Sequence, residues 1–202
     1  MEIITFREPP IDNNNYLLID NQSKEAVLID CSSVDNKIKD AIEKNGVKLT
    51  KILLTHGHFD HIAGLRPDND SLAYLHQDDL ERVEEANIYL AIFGMPSITL
   101  PQVENFVNDG DIIKFGNYEI KVIHTPGHTQ GSVCYYVDGK LFSGDTIFRE
   151  SVGRCDLDGG DFGQIVQSIQ QKIFTLPNET VIYPGHGKQT TVAWEKEYNN
   201  FT

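Results

Sequence analysis

Cysteine is scarce in this chain: only Cys31, Cys134 and Cys155 occur among 202 residues. So odd and sparse a set excludes a disulfide-built scaffold, leaves room for one bridge at most, and points to a reducing compartment. Cations are also under-represented. Seventeen Lys and Arg stand against thirty Asp and Glu, a formal charge of −13. Nucleic-acid binding requires clustered cations to neutralise phosphate, and an anionic membrane surface requires the same, so neither partner is expected. No apolar run approaches the about 20 residues of a membrane span. The opening Met-Glu-Ile-Ile-Thr-Phe-Arg-Glu-Pro-Pro has neither the basic flank nor the apolar stretch of a secretory signal. A cytoplasmic location is the expectation. Low-complexity tracts and long linkers are missing too. What remains is 40% apolar and 23% charged, enough for a substantial core and too hydrophobic for a disordered chain.

Nearly every stretch reads as strand, helix or short turn. Near-continuous apolar runs predict strands at 3–6, 16–19 and 26–29, covered on both faces or central in a sheet. Val34, Ile38, Ala41 and Ile42 share one helical face, with Ser33 as N-cap and Gly46 as stop. Residues 51–55 and 72–75 predict strands, and Asp78 and Asp79 open a helix carrying Leu80 and Val83. Residues 94–101 read as a connection. In the second half, strands are expected at 112–115 and 118–124. Residues 132–137 and 140–143 form a hairpin across Asp138-Gly139, with Tyr135, Tyr136 and Val137 in the core. Phe162, Ile165, Val166, Ile169 and Ile173 form a helical stripe ending before Pro177. A strand at 180–183 and a helix at 191–198 complete the chain. Two strand-rich halves, each closing with helix, fit a sheet-on-sheet core flanked by helices.

Seven histidines are a mild excess, and their placement matters more than their number. His56, His58, Asp60 and His61 fall within six residues, between a strand end and a helix start. His56 and His58, two apart on extended chain, project to one side. Asp60 and His61, on the turn that follows, point to an adjacent position. That arrangement suits two neighbouring ions better than one. More donors are needed, and three stand beyond later strands with glycine beside them: His128, Asp145 and His186. His76 and His124 read as hydrogen-bonded structural histidines, and Cys155 as an inert thiol.

His-x-His-x-Asp-His, then Gly-His, Gly-Asp and Gly-His, in this order and spacing, resemble the metallo-β-lactamase fold. The segments Ser-Gly-Asp-Thr-Ile-Phe, Val-Gly-Arg, Gly-Gly-Asp-Phe and Tyr-Pro-Gly-His-Gly are similar to short glyoxalase II-like hydrolases. The resemblance implies a mixed α/β fold, a four-layer αββα sandwich of two pseudo-repeated halves, with residues 1–202 forming one domain. It implies that His56, His58 and His128 hold one ion, that Asp60, His61 and His186 hold a second, and that Asp145 bridges them. Asp30 resembles the acid that supports the ligands. Two divalent ions are implied, zinc first, with iron or manganese also suited to nitrogen and oxygen donors.

The implied reaction is hydrolysis of a small-molecule thioester such as S-lactoylglutathione. A hydroxide held between the ions by Asp60 and Asp145 attacks the carbonyl, and a thiolate leaves without strong acid help. The helical extension with which full-length glyoxalase II helps to bind glutathione has no counterpart after His186. Arg154 stands in the basic place, but Cys155-Asp156 replace the aromatic residues that follow it in the family. Arg149, Arg154 and Lys188 are the cations nearest the motifs and the candidates for a substrate carboxylate. Alternatives on the same fold are a single-iron persulfide dioxygenase and a lactonase or other ester hydrolase. A non-catalytic metal-binding module is disfavoured by the complete donor set. The dioxygenases typically carry Tyr-Pro-Ala-His where this chain has Tyr-Pro-Gly-His, so Gly185 favours a hydrolase.

Overall fold

The structure is a computed structural model that describes residues 1–8, 11–32 and 36–202. Ser33 and Val34, expected to open the first helix, lie outside the described residues.

Alternation along the strands divides the core into layers. In β2 (Asn13–Asp20), Leu17 and Ile19 face one way and Tyr16 and Leu18 the other, and all four are buried. β3 (Glu25–Ile29) repeats the pattern, with Ala26 and Leu28 on the first face and Val27 and Ile29 on the second. A strand buried on both faces must be covered on both. Together with β1 (Glu2–Glu8), β4 (Lys48–Leu53), β5 (Ala73–Leu75) and β6 (Asn105–Phe106), they form a six-stranded sheet in chain order. Pairing is antiparallel from β1 to β3 and parallel from β3 to β6.

The second sheet runs β14-β13-β10-β9-β8-β7. Its strands are β7 (Ile112–Phe115), β8 (Tyr118–His124), β9 (Val133–Val137), β10 (Lys140–Gly144), β13 (Val181–Pro184) and β14 (Thr190–Thr191). Ile120, Val122, Val133, Tyr135 and Phe142 meet Tyr16, Leu18, Val27 and Ile29 of the first sheet in one apolar layer. Outside the first sheet lie α1 (Asn36–Asn45), α2 (Phe59–Ile62), α3 (Leu80–Glu84) and α4 (Ala86–Ile92). Outside the second lie α5 (Phe162–Ser168) and α6 (Val192–Tyr198), where Ile165, Ile169 and Val192 pack on Cys134, Leu141 and Ile182. The result is the expected αββα sandwich, one sheet from each half of the chain.

The Asp138-Gly139 turn has φ of 49° and 72° at its two residues, the left-handed pair that a two-residue hairpin needs. Several boundaries differ from the sequence reading. Leu72 belongs to a 3-10 turn, Asp70–Leu72, before its strand. The 162–173 stripe is α-helical only to Ser168 and widens into a π-turn at Ile169–Ile173, while Phe162, at the helix start, is exposed. β6 and the small hairpin of β11 (Ile147–Phe148) with β12 (Ser151–Val152) were not anticipated. β4 ends at Leu53 rather than at Thr55. Thr55 leaves its own sheet, and its carbonyl accepts from Val133 N–H of the other sheet at 2.8 Å. That bond leads the His-x-His segment into the cleft between the sheets. No helix among the described residues is long and apolar enough to cross a membrane.

Candidate metal centre

Five of the motif residues lie just beyond the carboxyl end of a strand, Asp30 after β3, His56 after β4, His128 after β8, Asp145 after β10 and His186 after β13, while His58 caps α2 and Asp60 and His61 lie within it. β3 runs parallel to β4, and β10 to β13. The structure brings seven of the predicted residues into one cluster. His58 Nδ1 is 2.9 Å from His128 Nε2, which is 3.2 Å from His56 Nε2. His61 Nε2 lies 3.4 Å from Asp145 Oδ1 and 3.7 Å from Asp60 Oδ2. His186 Nε2 lies 3.3 Å from Asp60 Oδ2 and 3.6 Å from Asp145 Oδ2. The Asp145 carboxylate stands between the groups, its Oδ2 also 3.7 Å from His128 Nε2.

The far side of three imidazoles is fixed by oxygen. Asp30 Oδ2 holds His61 Nδ1 at 2.8 Å, the Arg154 carbonyl holds His128 Nδ1 at 2.8 Å, and Thr55 Oγ1 meets His56 Nδ1 at 3.1 Å. Such partners set the tautomer that leaves a lone pair facing inward. Asp30 is itself buried and accepts from Thr55 N–H at 2.7 Å. It therefore touches a cluster histidine directly.

These residues fit metal ions. Two donors bonded at about 2.0–2.1 Å in tetrahedral geometry lie about 3.3 Å apart, close to the spacing of the three-histidine group. His61 Nε2 and Asp145 Oδ1 are buried and have no hydrogen-bond partner, although buried polar atoms are ordinarily satisfied. The donor sets His56–His58–His128 and Asp60–His61–His186 each lie within 4.8 Å. Protonation agrees. Burial, reinforced by the other imidazoles, holds His56 well below the usual histidine range, and burial with His128 beside it takes His58 down to about 3. Both present the neutral form that binds metal. Asp145 and Asp60 are held low as carboxylates, burial notwithstanding, chiefly by His61. For His61, burial is outweighed by Asp30, Asp145 and Asp60, which raise its pKa well above the usual value. This concentration of negative charge favours a cation of any kind.

One buried acid was missed as part of this assembly. Asp79, read as a helix-opening residue, is fully buried and accepts from Gly57 N–H (2.8 Å), Thr129 Oγ1 (2.8 Å) and Gly131 N–H (2.7 Å). It ties the loop bearing His56 and His58 to the loop bearing His128. In sequence it is indistinguishable from its exposed neighbour Asp78. His76 and His124 stack on each other at 4.2 Å, with His124 Nε2 on the Gln130 carbonyl. All three cysteines are free, and burial with Asp161 and Asp156 nearby raises the Cys155 thiol.

The cluster opens into a cavity of about 500 Å³, a size suited to a small molecule. Its walls are mostly apolar, with Phe59, Tyr89, Phe93, Phe148 and Leu157 around the donors. Arg154 lines it but is bound at both ends of its guanidinium by Asp156, at 2.7 and 2.8 Å. Arg149 and Lys188 line a different depression.

Comparison with known proteins gives the same architecture. Residues 9–186 match the Metallo-beta-lactamase superfamily. The chain belongs to that superfamily. It is 36% identical to the probable metallo-hydrolase YqgX of Bacillus subtilis, over 95% of this chain and 93% of that one. Identity is 29% to the hydroxyacylglutathione hydrolase GloC of Haemophilus influenzae, covering 93% and 92%. Among solved structures, the BLEG-1 B3 metallo-beta-lactamase superposes with a TM-score of 0.90, 34% identity and 99% coverage of both chains. TTHA1623 in a di-iron-bound form gives 0.87 and 34%, covering 98% and 100%. ETHE1 from Myxococcus xanthus gives 0.82 and 26%, covering 99% of this chain and 84% of that one. As a superfamily member the protein is a metallo-hydrolase.

Proposed function

We propose that this metallo-hydrolase is a thioesterase with a two-ion centre, S-lactoylglutathione being the first substrate to test. His56, His58 and His128 would hold one ion, Asp60, His61 and His186 the other, and Asp145 both. Zinc is the first expectation; iron and manganese suit the same donors, and none is a cysteine that would select a softer metal. Bound there, the ions would supply an activated water and a positive site for the carbonyl oxygen.

The chain's own contribution is placement. The Asp60 and Asp145 oxygens accept hydrogen bonds from the attacking water and orient it. The apolar walls seat the acyl group and exclude bulk water. Asp30, through His61, and Asp79, through the two loops, hold the donors in position. No general acid is required for a thiolate to leave.

The observation that carries the two-ion reading is at Gly185. A Cβ there would collide with Asp145 Oδ1 and come within 2.8 Å of His61 Cε1. These residues supply the two unpartnered buried atoms of the cluster. The missing side chain is thus what lets Asp145 and His61 converge, and it supports the hydrolase over an alanine-bearing dioxygenase. Likeness to GloC supports the same choice. A single-iron persulfide dioxygenase is the second reading, favoured by the compactness of the three-histidine group, which can hold one ion alone. A lactonase would use the same centre on a ring ester.

The test is metal analysis of protein purified without added metal, followed by thioester, lactone and persulfide assays. Two ions per chain with chelator-sensitive thiol release is the expected result. One iron with oxygen uptake, or no turnover with two ions bound, overturns it.

A further inference from the structure

Beside the segments that carry Phe148 and His186 lies a second depression, of about 550 Å³. In the first, Phe148 faces the metal cavity and the next residue, Arg149, faces the depression. In the second, His186 faces the cavity, and Gly187, Lys188 and Gln189 face the depression. Arg7 from β1 completes a trio of cations there.

This convergence is unexpected in a chain with 17 cations and 30 acids. No Asp or Glu stands among the described lining residues. Lys188 makes no hydrogen bond or ion pair among the described residues. Among the described residues Arg7 reaches neutral acceptors, Asn14 Oδ1 at 3.3 Å and the Gly187 carbonyl at 3.4 Å. Arg149 lies 4.4 Å over the Trp194 ring and meets Glu150 only through Nε, at 3.4 Å. That Glu150 oxygen is also taken by Trp194 Nε1–H at 2.8 Å. The stacking and the Nε contact orient the guanidinium, and its two terminal nitrogens have no hydrogen bond among the described residues. Three like charges crowd one concavity at a cost in mutual repulsion, and an anion relieves it.

The geometry points to an anion site for a phosphate or polycarboxylate group, held by Arg7, Arg149 and Lys188. Two sources share that chemistry: the anionic distal end of a thioester substrate lying across these segments, and free phosphate. Arg7 and Asn14 both hold the Gly187 carbonyl, Asn14 Nδ2 at 3.1 Å, so an anion drawn to Arg7 engages the backbone next to His186.

The test is calorimetric titration of the whole protein with pyrophosphate at low salt, before and after chelator, alongside Arg7→Gln and Lys188→Gln. Lys188→Gln removes a charge from a side chain with no hydrogen bond or ion pair to lose among the described residues. The expected result is one saturable site that survives chelation, weakens about tenfold with each substitution and fades as salt is raised. No binding, binding indifferent to both substitutions, or binding abolished by chelator overturns the proposal. The kinetic arm rests on the thioesterase reading; the titration does not. If the substrate's distal end is the ligand, the variants raise KM for an anionic-thiol thioester relative to a neutral-thiol one. If free phosphate is the ligand, that ratio stays constant while phosphate binding falls.

Discussion

Replacing Asp79 with alanine tests whether one buried carboxylate sets the spacing of the histidine loops. The side chain accepts three hydrogen bonds, from Gly57 N–H, Gly131 N–H and Thr129 Oγ1. Thr129 keeps a partner after the substitution, because Ser132 Oγ is 2.7 Å away. The two backbone donors do not. Each unsatisfied buried donor costs about 1–3 kcal/mol, and relief from burying the carboxylate offsets part of this. A net loss of about 3 kcal/mol follows, a sizeable share of the 5–15 kcal/mol typical of a domain. Urea denaturation with chelator present keeps metal binding out of the comparison. The pH dependence has a definite sign. Burial raises the Asp79 pKa above its ordinary value, outweighing the hydrogen bonds from Thr129, Gly57 and Gly131. Between the unfolded and folded values the native state binds the extra proton, so the Asp79 contribution falls as pH rises through the folded value. The gap between wild type and Asp79→Ala should therefore narrow over that window. A loss below about 1 kcal/mol, with metal content unchanged, would refute the clamp.

On the two-ion reading, Gly185→Ala should drive Asp145 and His61 apart and cut bound metal from two ions toward one, with folding retained; two ions in the variant, counted by atomic emission, would remove the argument from the missing side chain. Asp30→Asn should weaken metal affinity about 10- to 100-fold, since the partner of His61 Nδ1 loses its charge; an unchanged affinity in competition with a chelating dye would count against it. Burial pushes the Cys31 and Cys134 thiols up to about 12 and about 11. At pH 8 both should stay unreactive toward iodoacetamide in the native protein and react on unfolding, with Cys155 slower than a free thiol; native labelling of Cys31 by mass spectrometry would contradict the packing.

The layers were legible because Tyr16 to Ile19 and Ala26 to Ile29 are apolar at every position, which requires cover on both faces. The donor cluster was legible because seven metal-capable residues stand in a recognisable order, four of them just beyond strands and three at or within α2. Asp79 was hidden because its role arises from loops 22 and 50 residues away, and nothing local separates it from Asp78. Arg149 and Lys188 are near the motifs in sequence but line the second depression rather than the metal cavity: Arg149 directly follows cavity-lining Phe148, and Lys188 stands two residues after His186. Short elements such as β6 and β11 have two residues each, too few for any periodicity to register.

The donors are divided between the sheets: His56, His58, Asp60 and His61 come from the first half of the chain, and His128, Asp145 and His186 from the second. Neither half owns a complete set. A nascent polypeptide would therefore hold no finished centre until its later strands dock. The site is thus a joint product of the two sheets, and its geometry reports on whether they have docked.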